Sequence, residues 1–516
     1  MFSVNSIFGD HMILQRHKPV VIWGTGRAGD KVTVSLQVES PVEKQPLATQ
    51  DVIVSQSGEW IAELPAQQAA TGVVLSVTDG SNELSFKDIG IGEVWVAGGQ
   101  SNMEYHVHFD ANKSEIVRNQ KSRQIRFFNV PQISIPEMEA QFDYKDFGVW
   151  RCCTPEDLPH FSSVAYYFAY DLNLALDIPV GIVGCNWGGT PACAWVEERY
   201  LRNTPAQVWL DEYDAKLKGI DLEEDKQLYL NHPNSDTSQP LKVVEGLAGK
   251  IMYPGLSEAE QAEMVADAAS DQNQKAPLSG GPHHQYRPGG LYKNMVSRIT
   301  AFKVRGVIWY QGESDSPHSD VYFSTFSQLI QCWREAWGEC LPFLFVQLAP
   351  FSRWLAIDGS AFPELRRQQQ KVADEIENTW MVSSGDAGME IDIHPKVKKP
   401  IGKRLALLAQ KHIYEQEVLC EAPRFTIVER KNDTICIEFE HADGLHLKGN
   451  SVNALLVEDI RGEGIPYQCF SLEGRCLTLY GNFENAVSVK FASTPYYQVN
   501  LYNHSDIPAL PFSVRF

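Results

Sequence analysis

The chain has no apolar run approaching the ~20 residues that a membrane-spanning helix needs, so no such span and no membrane partner is expected. Basic charge is also scarce. Lys and Arg number 45 against 65 Asp and Glu, for a net charge of −20. That balance argues against nucleic acid or an anionic membrane surface as a partner. The ten cysteines form no C-x-x-C pair with a matching second pair, so neither a zinc site nor a disulfide framework is expected. Several, among them Cys185 and Cys436, sit in apolar runs where a reduced thiol behaves as a small hydrophobe. The start, Met1-Phe2-Ser3-Val4-Asn5, shows no basic stretch followed by an apolar core. These features predict a cytoplasmic setting, or a secreted one if a leader was removed ahead of this start. Low-complexity tracts and internal repeats are missing as well.

What is present is ordinary globular composition, 43% hydrophobic and 21% charged. At roughly 150 residues per domain, 516 residues predict about three domains. Residues 1–90 carry short β-branched runs broken by turn signals, the pattern of a small β-sandwich module. Residues 91–415 alternate buried strands with helices, the pattern of an α/β core with a five-stranded parallel sheet and helices on both faces. Its strands are read near 92–98, 179–187, 305–310, 341–348 and 379–384. Within this core, 201–285 is a polar, acidic insertion, with a capping box at Ser257-Glu-Ala-Glu260. From 416 to 516 the period returns to two, giving a second β module.

Chemistry gathers where the core strands stop. Gly92-Glu-Val-Trp-Val-Ala-Gly-Gly-Gln-Ser-Asn-Met103 reads as a buried strand ending in a glycine turn, which presents Ser101 at the carboxyl edge of the sheet. Ser101 is a candidate nucleophile there; a capping serine at a strand–helix turn is the plainer reading. A second strand ends in Gly188-Gly189, whose amides suit an oxyanion hole, or simply a turn. A third ends in Gln311-Gly312-Glu313-Ser314. Beyond the fifth comes Glu390-Ile-Asp-Ile-His-Pro395. In an extended loop, side chains two apart point the same way, so Asp392 and His394 share a face while Ile391 and Ile393 anchor the other. An aspartate there fixes the imidazole tautomer and leaves the second ring nitrogen as a base. A serine needs such a base, and the attacked carbonyl needs donors: the Ser101 amide, Gly188 or Gly189, and the Gln311 side chain. Gly99-Gln-Ser-Asn-Met103 is not a G-x-S-x-G elbow, and an Asp two residues before the His does not fit the α/β-hydrolase order. His283-His284 are read as solvated or substrate-facing rather than as metal ligands.

Four of these blocks carry a resemblance: Gly99-Gln-Ser-Asn-Met103, Trp187-Gly-Gly-Thr190, Trp309-Tyr-Gln-Gly-Glu-Ser314 and Asp392-Ile-His-Pro395. They resemble the sialate O-acetylesterases of the SGNH/GDSL hydrolase superfamily. Asp10-His-Met-Ile-Leu-Gln-Arg16 and Val499-Asn-Leu-Tyr-Asn503 extend the likeness over nearly the whole chain. The resemblance implies a flavodoxin-like α/β/α hydrolase flanked by β modules, without metal or cofactor, that removes O-acetyl groups from sialic acid or related sugars. It implies Ser101 as nucleophile, His394 as base and acid, and Asp392 as orienter, or a Ser–His dyad in which Asp392 is dispensable. Gln311 stands where the superfamily more often has asparagine. Gln100, Asn102, Glu313, Tyr292 and Lys293 are the implied substrate contacts. Lys293 departs from the family's usual Leu-Tyr-Asn-Gly-Met, and a lysine there suits a sugar carboxylate. An acetyl-xylan or other plant-glycan deacetylase is the alternative. A non-catalytic carbohydrate-binding protein is a third, disfavoured by the presence of Ser101, Gln311 and His394.

Overall fold

A computed structural model describes residues 2–38, 46–119, 124–141, 147–232, 247–270 and 275–516. Parts of the acidic insertion, 233–246 and 271–274, thus lie outside the described residues. The chain is a mixed α/β protein. It divides into two compact units: Met1–Tyr253 with Asn273–Ser314 and Phe323–Phe343, and Pro254–Gln272 with Asp315–Tyr322 and Leu344–Phe516.

The first unit is built around one 17-residue strand, Glu83–Gly99. Its first half pairs antiparallel with Ala70–Thr78, which in turn pairs with Lys31–Val38. Along Lys31–Val38, Val32, Val34 and Leu36 are fully buried while Lys31, Thr33 and Ser35 point outward. That alternation is what a sheet covered on one face requires. The second half of Glu83–Gly99 is buried on both faces and pairs in parallel with Val180–Asn186 and with Gly306–Tyr310. Ile125–Asn129 extends the parallel run beside Val180–Asn186, and Trp150–Cys152 closes that edge antiparallel. The strand passes residue 90 without a break, so the β-rich N-terminal region and the parallel strands share one backbone element. Trp95 packs edge-on against Phe168 of helix Ser163–Leu176, and Trp309 against Trp333. Burying an aromatic of this size contributes roughly 1.5–3 kcal/mol. Helix Ser163–Leu176 starts at Ser162, whose hydroxyl accepts the Ala165 N–H.

In the second unit, helix Phe362–Glu375 precedes strand Thr379–Val382, and helix Lys399–His412 follows it. Gln347 donates its backbone N–H to Val382 O. The capping box forms as spelled: Ser257 donates to Glu260 Oε2 through both its N–H and its hydroxyl, and helix Glu258–Ser270 follows. The C-terminal β region has three sheets: Arg424–Arg430, Thr434–Glu440, Cys476–Gly481 and Tyr467–Glu473; Leu455–Asp459, Ala486–Phe491 and Phe512–Arg515; and the short pair His446–Leu447 and Leu501–Tyr502. Ile435, Ile437, Leu479, Val489 and Phe491 fill its core. One expectation fails here: Cys436 and Cys476 are joined as a disulfide. They lie 40 residues apart, and antiparallel pairing of their strands sets Cys436 beside Thr478, two positions from Cys476.

Candidate active site

The candidate residues fall into two clusters, one in each unit. The first begins where Glu83–Gly99 stops. Gly99 has φ +137°, and a Cβ on it would collide with Tyr310 O. Only glycine lets the two strand ends come this close. Gln100 N–H then donates to Tyr310 O at 3.1 Å, and the chain turns into the short helix Ser101–Glu104 with Ser101 half-buried. Two of the implied substrate contacts instead tie this turn to the next one. Gln100 Oε1 accepts the N–H groups of Gly312 and Ser314, both at 3.3 Å, and Asn102 Nδ2 donates to Glu313 Oε1 at 2.5 Å. All three side chains are buried, so Gln100, Asn102 and Glu313 act as a lock between turns.

Gly188 and Gly189 part company. Gly188 lies against Ser101, yet its N–H donates to Glu104 Oε2 at 2.6 Å. The Gly188 donor expected for an oxyanion hole is therefore committed to a carboxylate. Glu104 Oε1 accepts from Gln132 Nε2 at 2.9 Å. Burial pushes the Glu104 carboxyl pKa up, and these two donors oppose the rise. Gly189 sits at φ +74° with the Tyr286 hydroxyl packed where a Cβ would stand. Gln311 is fully buried, and its Nε2 donates to Thr190 O at 3.2 Å, which fixes the plane of the amide. Thr190 is itself held by its hydroxyl to Trp187 O and by the Trp195 indole.

The loop bearing Tyr286 is pinned by the insertion. Asp225 accepts the Leu278 N–H at 2.7 Å, and its second oxygen lies 2.8 Å from His283 Nδ1. Tyr229 donates to Gln285 Oε1 at 3.1 Å. His284 rests on Tyr286 with ring centres 4.3 Å apart, and burial lowers its pKa to about 4. These histidines brace the loop. Tyr292 and Lys293 line a different cavity of about 450 Å³ with Glu197, Glu198, Arg199 and Arg287.

The second cluster lies on the loop before helix Lys399–His412. Ser352 and Arg353 donate their N–H groups to Glu390 O, and Gln261 Nε2 donates to Ile391 O at 2.9 Å. Asp392 and His394 are side by side and buried. The ring contact is longer than a hydrogen bond: Asp392 Oδ1 is 3.6 Å from His394 Nδ1 and instead accepts the His394 backbone N–H at 2.8 Å. Oδ2 receives Lys396 Nζ at 2.7 Å. Trp354 stands edge-on to the imidazole at 5.1 Å. Burial lowers the His394 pKa below the usual imidazole value; Asp392 opposes this, while Lys398 and Lys396 add to it. Burial raises that of Asp392, but His394 and Lys396 outweigh it and hold the carboxyl below its ordinary range.

Sequence reasoning passed over Glu104, Tyr286 and Lys396. Each lies within a few residues of a recognised block, and that nearness was the available signal. Among the described residues, two groups have metal-ligand spacing, His11, Asp88 and Cys152, and His412, Cys420 and Glu421. In the first, Arg126 shares Asp88 at 3.2 Å; in the second, His412 Nε2 and Glu421 are 2.6 Å apart, a hydrogen bond. Neither group includes a residue of the two clusters.

Residues 276–411 match the family described as carbohydrate esterase, sialic acid-specific acetylesterase. The sialate O-acetylesterase of Rattus norvegicus is 25% identical over 558 residues, covering 100% of this chain and 94% of its own. That of Homo sapiens is 24% identical, covering 99% and 92%. The crystal structure of a carbohydrate acetylesterase from Xanthomonas citri is 25% identical, with a TM-score of 0.73 and 99% of each chain covered. Fold and matches together define a carbohydrate esterase. Within that class, the chain is similar over its whole length to the sialate O-acetylesterases.

Proposed function

We propose that this protein removes O-acetyl groups from sialic acid or a related acetylated sugar through an acyl-serine intermediate, on a flavodoxin-like SGNH core. Ser101 Oγ attacks the acetyl carbonyl carbon while His394 takes its proton. The oxyanion draws on the Ser101 and Gly189 amides and the Gln311 side chain, with Gly188 serving through Glu104 rather than as a donor. Collapse breaks the ester bond, and His394 returns the proton to the departing sugar oxygen. Water then attacks acetyl-Ser101 with His394 again as base, releasing acetate and restoring the serine. The observation that supports this reading best is the likeness to sialate O-acetylesterases over the whole length of a chain that carries Ser101, Gln311 and His394.

Hydrolysis of p-nitrophenyl acetate tests it. Ser101→Ala and His394→Ala should each lose about 10⁴-fold or more in kcat, and the double variant should be scarcely worse than either. Near-wild-type rates in both would refute the roles. Lys293 bears on the choice of sugar: with Arg199 and Arg287 it sets three cations against Glu197 and Glu198 in its cavity, an excess that suits an anionic sugar, whereas the alternative, acetylated xylan, is neutral. Rates on acetylated sialic acid against acetylated xylan separate the two.

A further inference from the structure

The carboxylate of Asp392 is surrounded by three groups, and the imidazole it is supposed to orient is the most distant of them. Oδ2 meets Lys396 Nζ at 2.7 Å, Oδ1 accepts the His394 backbone N–H at 2.8 Å, and the ring stands 3.6 Å away. Both members of the ion pair are buried, with side-chain exposures of 4% for Asp392 and 9% for Lys396. Gly255, at φ +105°, closes over them; a Cβ there would stand 2.8 Å from Asp392 Oδ2 and 3.5 Å from Lys396 Cε. The pair is thus built in, not a surface contact of convenience.

We infer that Lys396 is a positioning residue for the general base: by holding Asp392 Oδ2 it keeps the carboxylate on the backbone of His394 and off its ring. The inference rests on His394 being the base. A carboxylate free to swing onto Nδ1–H would make the imidazole more basic, and more of it would then be protonated at mildly acidic pH. With Lys396 in place, Asp392 fixes where the loop stands and acts on the ring from 3.6 Å, through its charge rather than through a hydrogen bond. The charged groups acting on His394 are Asp392, Lys396 and the fully buried Lys398. From the Arg353–Trp354 strand it meets the Trp354 ring, with Arg353 paired outward to Glu258. From the segment after Pro254, Gly255 faces Asp392 and Lys396. Burial also lowers the Lys396 pKa, which Asp392 opposes.

The test is the pH profile of kcat/KM on p-nitrophenyl acetate for Lys396→Met, Lys396→Gln and Lys396→Arg. A neutral side chain at 396 should raise the midpoint of the acid limb by about one unit, because a nearby cation is gone and the carboxylate can reach the ring. The plateau rate should change less than about tenfold, within what one supporting contact contributes. Lys396→Arg should restore the wild-type midpoint. A fall in rate with the acid limb unmoved would leave Lys396 merely structural and overturn the inference, as would an unaltered profile. If Lys396→Met does not fold, the neutral but polar Lys396→Gln gives the same readout. Failure of the catalytic reading shows separately, as activity surviving in His394→Ala.

Discussion

Around Ser101 the fixing contacts are backbone and amide hydrogen bonds: Gln100 to Tyr310, Gly312 and Ser314, Gln311 to Thr190, Asn102 to the Glu313 carboxyl, and Gly188 to the Glu104 carboxyl. Around His394 they are charged, with Asp392 between a lysine and a backbone amide and a second buried lysine two residues further on. A neutral hydrogen bond contributes about 0.5–1.5 kcal/mol net, whereas breaking a buried ion pair from one side costs about 3–5 kcal/mol. Geometry on the serine side is therefore spread over many small contacts, and on the histidine side it is concentrated in one pair. The two regions should answer differently to mutation. Variants near Ser101 should lower rates at every pH, and variants near His394 should move the pH profile.

Gln311→Ala gives the larger effect. Removing one side-chain donor to a developing oxyanion typically costs about 10²–10³ in kcat. The acid limb of kcat/KM should stay where it is, because no charge is altered. Alanine also leaves Thr190 O without its Gln311 partner, so Gln311→Asn, one methylene shorter, should recover little of the loss. A rate within threefold of wild type would remove Gln311 from the chemistry.

Asp392→Asn should cost much less, about tenfold, well short of the roughly 10⁴-fold seen where a triad aspartate bonds the ring directly. Its effect on the profile carries the comparison. Deleting the carboxylate removes an anion from His394 and leaves Lys396 uncompensated. Both favour the neutral imidazole, so its pKa falls further below 6.5. The base then stays unprotonated to lower pH, and the acid limb moves down, opposite to Lys396→Met. A loss near 10⁴-fold would mean that Asp392 works through the ring despite the 3.6 Å separation.

Much of the scaffold was legible because it rests on local periodicity. Strands Val180–Asn186 and Gly306–Tyr310 appear where apolar runs predicted them, and the two-residue spacing of Asp392 and His394 does put them side by side. The start of the long strand was not legible: residues 83–88 alternate with exposed positions, and only pairing with Ala70–Thr78 makes them one element with Gly99. Contacts remote in sequence were hidden for the same reason. Gly188 finds Glu104 84 residues away, and Cys436 finds Cys476 across a strand pair with no motif to announce it. Lys396 was overlooked because a lysine after His-Pro reads as solvated. Its burial follows from Gly255, which approaches from a segment about 140 residues earlier in the chain.

Glu104→Gln probes the contrast most finely, since it puts an amide where a half-buried carboxyl beside Ser101 stood. Glu104 accepts on both oxygens, from Gly188 N–H and Gln132 Nε2, so an amide must set a donor against one of them. Gln132 also donates to Asn186 O at 3.1 Å and cannot flip without losing that bond. One mismatched polar contact costs about 1–3 kcal/mol. Most of that cost should appear as lowered thermal stability, with kcat down less than tenfold through a slackened Gly188-Gly189 turn and KM little changed. The acid limb should not move. If it did, a titrating carboxyl beside the nucleophile would share control of the pH response, and the division between a serine region fixed by many hydrogen bonds and a histidine region fixed by one ion pair would fail.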